Sequence, residues 1–106
     1  MKQTTRKHNP DLLSIDFVED AAEYLKVMAH PARLRMVDIL LQGEYPVHRI
    51  AELCDLQPHQ ACEHLRLLKG HGLLDSERRG RTVYYRVTHP RLPKLLKCLR
   101  ASCRDE

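Results

Sequence analysis

Residues 58–87 read PHQACEHLRLLKGHGLLDSERRGRTVYYRV, and the spacing of their apolar residues changes halfway along. Up to Gly70 these residues recur every three or four positions, which is typical of one face of an α-helix. After Gly72 the period is two, so residues 73–77 and 82–87 are predicted to form the strands of a hairpin. The connection 78–81 carries three arginines. This stretch therefore predicts a helix followed at once by a basic β-hairpin.

The residues before Pro58 predict three more helices. The first begins near Asp11, whose side chain can cap it. Its apolar residues have helical spacing: Leu13, Phe17, Ala21, Leu25 and Met28. The sequence His30-Pro31 ends this helix and opens the second, because the residue before a proline is driven out of the helical region.

The second helix runs to about Leu41, and Gly43 is expected to close it in the left-handed conformation. A short third helix then runs from Pro46 through Leu53. Residues 55–58 form a tight turn that leads into the fourth helix.

The final helix starts at His89-Pro90 and has an apolar stripe over three turns. We thus predict a mainly α (α+β) fold in the order helix, helix, helix, helix, strand, strand, helix. A short helix, tight turn and longer helix followed by a basic hairpin form a winged helix-turn-helix. Residues 11–104 are expected to be one domain, and residues 1–10 a flexible N-terminal tail.

The charge distribution predicts a polyanionic partner. Residues 1–65 carry 7 Lys/Arg and 10 Asp/Glu, whereas residues 66–106 carry 11 and 4. The surplus of positive charge in the second part suggests binding to nucleic acid or another anionic surface.

Other classes of protein are disfavoured. No apolar run approaches the roughly 18 residues of a membrane span, and the first residues lack a signal-peptide core, so we expect a cytoplasmic protein without membrane attachment. The sequence shows no paired nucleophile and base and no glycine-rich phosphate loop, which argues against an enzyme. The four cysteines are then expected to be reduced thiols.

Two groups of residues are candidates for contact with double-stranded DNA. In projection, one side of the fourth helix is apolar and the opposite side polar. Arg66 suits a guanine edge or a phosphate, Gln60 suits adenine and Glu63 suits a cytosine amine, while arginines on the hairpin suit phosphates. The complete set of candidates is His59, Gln60, Cys62, Glu63, Arg66, Arg78, Arg79 and Arg81.

The chain resembles the ArsR/SmtB family of winged-helix transcriptional repressors. The resemblance lies in AEYLKVMAHPARLRMVDILLQG (22–43), IAELCDLQPHQACEHLRLLKGHGLL (50–74) and RRGRTVYYRV (78–87). Asp55 replaces the family's turn glycine, Gln57 replaces its capping serine and predicts a weaker cap, and Cys62 replaces the serine two positions before His64. The family match implies that His64 is structural.

The resemblance also implies a homodimer formed by the first and last helices. Both helices have apolar stripes, and a core as small as this one would leave part of each stripe uncovered, which supports the same expectation. A two-fold dimer predicts a pseudo-palindromic operator with half-sites about 10 base pairs, or a multiple, apart. Family members release the operator when an inducer binds.

The inducer is not identified by the sequence. Pro46 occupies the cysteine position of the family's arsenic- and cadmium-type site, and the zinc-type ligand set of the last helix is missing. The candidate sensor thiols are therefore Cys62, Cys98 and Cys103, responding to a soft metal ion or metalloid held by thiolates, or to a thiol oxidant. The alternative is that none of these three thiols has a sensing role. Cys54 is expected to be a packing residue.

The sequence is also compatible with a second function, from another class of protein. The unusual cap and Glu63 would also suit a winged-helix protein-interaction module that does not bind DNA. A gel shift against DNA from upstream of the protein's own gene separates the two.

Overall fold

The computed structural model describes residues 10–103. Nine of the ten residues expected to form the N-terminal tail, and residue 104, lie outside this range. The elements run in the order α1 (Ile15–Met28), α2 (Pro31–Leu41), β1 (Tyr45–Pro46), α3 (Val47–Cys54), α4 (Pro58–Gly70), β2 (Leu74–Arg79), β3 (Thr82–Val87) and α5 (Leu92–Ser102). The predicted order is confirmed, with one added strand, β1.

The first helix begins later than predicted. Its N-cap is Ser14, whose hydroxyl accepts the Phe17 amide at 3.1 Å, and not Asp11. Both residue types cap helices, so spacing alone did not choose between them. The break at His30-Pro31 is confirmed, since His30 is extended and its Nδ1 accepts the Ala32 amide at 3.1 Å.

The prediction for Gly43 is wrong. Within residues 10–103, the glycines with positive φ are Gly72 and Gly80, and α2 ends on Gln42 without a left-handed residue. Residues 42–44 connect α2 to β1. The two-residue strand β1 pairs with β3, which lies almost forty residues further along the chain. No pattern among neighbouring residues therefore predicts this strand.

The helix-turn-helix consists of α3 and α4. Asp55 takes the left-handed conformation (φ 58°, ψ 47°) that its short polar side chain tolerates, as expected for a residue replacing glycine. Pro46 is the N-cap of α3 and not its first helical residue. At the start of α4, where Gln57 predicted a weaker cap, the Gln57 backbone amide donates to Oε1 of Gln60 at 3.0 Å, and the Gln60 amide donates to the Gln57 backbone carbonyl at 3.0 Å.

The sheet has the strand order β1-β3-β2 and is antiparallel throughout. Strand β2 extends to Arg79, which pairs with Thr82, so the turn contains only Gly80 and Arg81. The expected four-residue connection is therefore too long. Arg78 and Arg79 are strand residues and point to opposite faces of the hairpin.

The core lies between α2, α3, α4, α5 and the inner face of the hairpin. Its buried side chains are Val27, Met28, Met36, Val37, Leu40, Ile50, Ala51, Ala61, Leu65, Leu68, Leu73, Leu74, Tyr85, Leu92 and Leu96. None of the described helices has the length and hydrophobicity that crossing a membrane requires.

Candidate nucleic-acid interface

Helix α4 presents a polar stripe opposite its buried side. Ala61, Leu65 and Leu68 are inaccessible to solvent and attach the helix to the core. The predicted contact residues on the other side are exposed: His59, Gln60, Glu63 and Arg66. Cys62, on the edge of the stripe, is half-buried. The predicted division of the helix into two sides is therefore present in the structure.

Gln60 serves two purposes in this arrangement. Its side-chain oxygen accepts the Gln57 amide and so caps α4. Bidentate pairing with adenine needs that oxygen as an acceptor. An amide oxygen has two lone pairs, so Gln60 can hold this cap and still offer an acceptor to a base.

One edge of the stripe on α4 faces the hairpin. Lys69 Nζ donates to Ser76 Oγ on β2 at 2.7 Å. Tyr85 on β3 is only 8% exposed. Burial raises its pKa, the nearby Cys62 raises it further, and Arg66 opposes the rise. These contacts place Cys62, Arg66 and Lys69 beside the hairpin, so the exposed stripe and the hairpin lie next to each other.

The hairpin arginines differ in their surroundings. Arg79 donates to Glu44 at 2.7 Å and to Glu77 at 3.2 Å, and its guanidinium carbon lies 4.6 Å from the centroid of the Tyr84 ring. The hydrogen bonds to Glu44 and Glu77 raise the pKa of Arg79. Its charge is therefore balanced within the protein.

Arg78 and Arg81 are exposed, and neither has an ion-pair partner among residues 10–103. Arg78 shares its hairpin face with Ser76 and Tyr85, the residues next to α4. Arg79 points to the opposite face. Of the three arginines predicted to contact phosphate, Arg79 is thus paired inside the protein, whereas Arg78 and Arg81 have no ion-pair partner in the described part of the chain.

His64 joins α4 to the junction of α1 and α2. Its Nδ1 accepts from Arg33 Nε at 3.2 Å, and its ring centroid lies 4.5 Å from that of His30. Arg33 also donates to the Val27 carbonyl at 3.0 Å. Burial lowers the pKa of His64, and the charges of His30 and Arg33 lower it further. A neutral, packed imidazole agrees with the structural role that the family match implied.

Arg33 and Glu44 were missed by sequence reasoning. Arg33 holds the histidine of α4 in place, and Glu44 pairs with Arg79. Their partners lie 31 and 35 residues away along the chain. No periodicity or spacing connects residues at that separation.

The candidate sensor thiols are spread over the molecule. Cys62 lies on α4, whereas Cys98 and Cys103 are exposed residues of the last helix and its C-cap. In the described part of the chain, no three His, Cys, Asp or Glu side chains are grouped so that they could hold a metal ion.

Cys54 is half-buried beside the core. Burial raises the pKa of its thiol, and the charge of Arg35 partly offsets that rise. This environment agrees with a packing residue.

The fold and the surface on α4 and the hairpin define the chain as a winged helix-turn-helix protein. No family model matches it. Among known proteins, the biofilm growth-associated repressor of Agrobacterium fabrum is 30% identical over 82 residues, covering 77% of this chain and 70% of that protein. The transcriptional repressor PagR of Bacillus anthracis is 34% identical over 83 residues, covering 77% and 83%. The chain belongs to the ArsR/SmtB family of transcriptional repressors.

Solved structures give the same result. HlyU from Vibrio cholerae superimposes with a TM-score of 0.79 at 25% identity, over 86% of this chain and all of that one. The homodimeric winged helix-turn-helix DNA-binding domain Mb0332 from Mycobacterium bovis gives 0.71 at 29% identity, over 82% and 81%. The expected fold and family are thereby confirmed.

Proposed function

We propose that this chain is a homodimeric, sequence-specific DNA-binding repressor that inserts α4 into the major groove of a pseudo-palindromic operator. The observation that carries the proposal is the position of the polar stripe of α4 next to a hairpin with two arginines, Arg78 and Arg81, that have no ion-pair partner among residues 10–103. In this arrangement Arg66 and Glu63 face base edges, while Arg78 and Arg81 reach phosphates. Phosphate contacts supply affinity for any sequence, and base contacts select one.

The exposed side of α1 supports a dimer. Of its 14 residues only Val27 and Met28 are buried. A different side of the helix carries three exposed apolar residues, Ile15, Val18 and Leu25, with exposed fractions of 45%, 37% and 41%. This second apolar stripe has no cover within residues 10–103. A second copy of the chain would cover this stripe. The last helix, α5, also has an exposed apolar side chain, Leu99, that a second copy would cover.

The dimer is tested by introducing charge into the stripe. Leu25→Glu would bury an unpaired carboxylate in each copy, so we expect monomers in sedimentation experiments and at least tenfold weaker operator binding. Glu23→Lys is the matched control, because Glu23 lies on the polar side of the same helix. A dimeric Leu25→Glu variant would remove α1 from the interface.

DNA binding itself is tested by a gel shift with DNA from upstream of the protein's own gene, at low salt and with reduced protein. We expect the protein to shift this DNA, and an unlabelled pseudo-palindromic fragment to compete for the protein. Complete absence of a shift favours the protein-interaction module.

The inducer stays a prediction. We expect a thiol-directed signal, because Cys98 and Cys103 are exposed near the end of α5 and Cys62 lies on α4. The test titrates the DNA complex with arsenite, zinc, cadmium, peroxide and persulfide, using the single variants Cys62→Ser, Cys98→Ser and Cys103→Ser. Release that persists in all three variants assigns no sensing role to these thiols.

A further inference from the structure

The stripe on α4 contains one apolar residue that the base-contact scheme does not use. Leu67 is 36% exposed, whereas Leu65 and Leu68 on the same helix are buried. It follows Glu63 by four residues and therefore lies on the same side of the helix, one turn further along.

The two sides of α4 that flank this stripe are covered by other parts of the protein. On one side Lys69 bonds to Ser76 of the hairpin, and on the other His64 bonds to Arg33 of α2. Leu67 lies on the arc between them, and 36% of its surface is exposed. Its side chain thus shares the proposed DNA surface with Glu63 and Arg66.

We propose that Leu67 selects thymine in each half-site through contact with the C5-methyl group. That methyl is the apolar feature of base edges in the major groove, and apolar side chains contact it. The inference rests on the proposed function, since it requires α4 to enter the groove. Four residues of helix rise about 6 Å, which is nearly two base-pair steps of about 3.4 Å. The thymine should therefore lie within two base pairs of the position that faces Glu63.

The test removes the methyl from the DNA and the leucine from the protein separately. Each thymine of the operator is replaced in turn by deoxyuridine, and affinities are measured for wild type, Leu67→Ala and Leu67→Met. Wild type should lose about fourfold in affinity at one thymine per half-site, the expected effect of losing one buried methyl. Leu67→Ala should bind weaker overall and show no further loss at that thymine.

Leu67→Met is the matched control, because it keeps an apolar side chain and should keep the sensitivity to deoxyuridine. Thermal melting of all three proteins shows whether they are equally folded. If wild type and Leu67→Ala respond identically at every thymine, Leu67 does not select a base and the inference is wrong. If wild type binds no DNA at all, the proposed function fails first, which is a different result.

Discussion

Replacement of Arg81 by alanine should weaken DNA binding in a salt-dependent way, whereas replacement of Arg79 should leave the salt dependence nearly unchanged. Arg81 lies in the exposed hairpin turn and has no ion-pair partner among residues 10–103. Arg79 is hydrogen-bonded to Glu44 and Glu77. A guanidinium whose charge is already balanced by two carboxylates displaces fewer counterions from DNA.

The magnitude follows from counterion release. Each phosphate contact contributes about 0.9 to the slope of log affinity against log salt, so a dimer lacking two Arg81 side chains loses about 1.8. Over the fourfold change from about 50 to 200 mM salt, the ratio of wild-type to variant affinity should fall about twelvefold. For Arg79→Ala the same ratio should stay nearly constant.

Fluorescence anisotropy with a labelled operator at several salt concentrations measures these slopes. Arg86→Ala is a matched control, because the Arg86 guanidinium is also paired with carboxylates of the protein. Its nitrogens lie 3.5 Å from Oδ2 of Asp75 and 3.9 Å from Oε1 of Glu77. Equal reductions of the slope for Arg79→Ala and Arg81→Ala would refute the reasoning, since internal ion pairs would then have no effect on phosphate contact.

Three further predictions concern stability and reactivity. The pKa of His64 in the folded protein is below the ordinary 6.5, so the folded state binds fewer protons than the unfolded state. The free energy of unfolding, measured by urea denaturation, should therefore fall as the pH drops below about 6.5. The fall should be smaller for His64→Gln. Asp55→Val should cost about 1–2 kcal/mol in the same assay because a β-branched residue is strained at φ 58°, while Asp55→Gly should fold at least as well. An alkylating reagent should modify Cys98 before Cys54 in mass spectrometry, because the Cys54 thiol is shielded and its pKa is raised; equal rates would contradict this.

Local features of the fold could be predicted because they depend on neighbours in the sequence. The helical period of residues 58–70, the break at His30-Pro31 and the left-handed Asp55 all result from interactions within a few residues. The ends of elements were less predictable. Ser14 and Asp11 are both good caps, and the choice between them depends on where the chain leaves the helix.

Most of the proposed DNA surface was also predictable from the sequence. The buried side of α4 fixes its exposed side by geometry alone, which gives His59, Glu63 and Arg66. What the sequence missed was how the arginines differ. Arg78 and Arg79 are adjacent and chemically identical, yet the strand directs them to opposite faces, and among the described residues Glu44 pairs with Arg79 and not with Arg78.

The sequence by itself determined the order of the main helices and the hairpin, the family, and which side of α4 is polar, because backbone preferences and the helical period act over short distances. Only the tertiary structure decided that Arg79 is paired with Glu44 and Glu77, that Arg33 holds His64 in place, that β1 joins the sheet and that Leu67 stays exposed. Each of these depends on which distant segments come into contact, and contacts of this kind arise only when the core has packed.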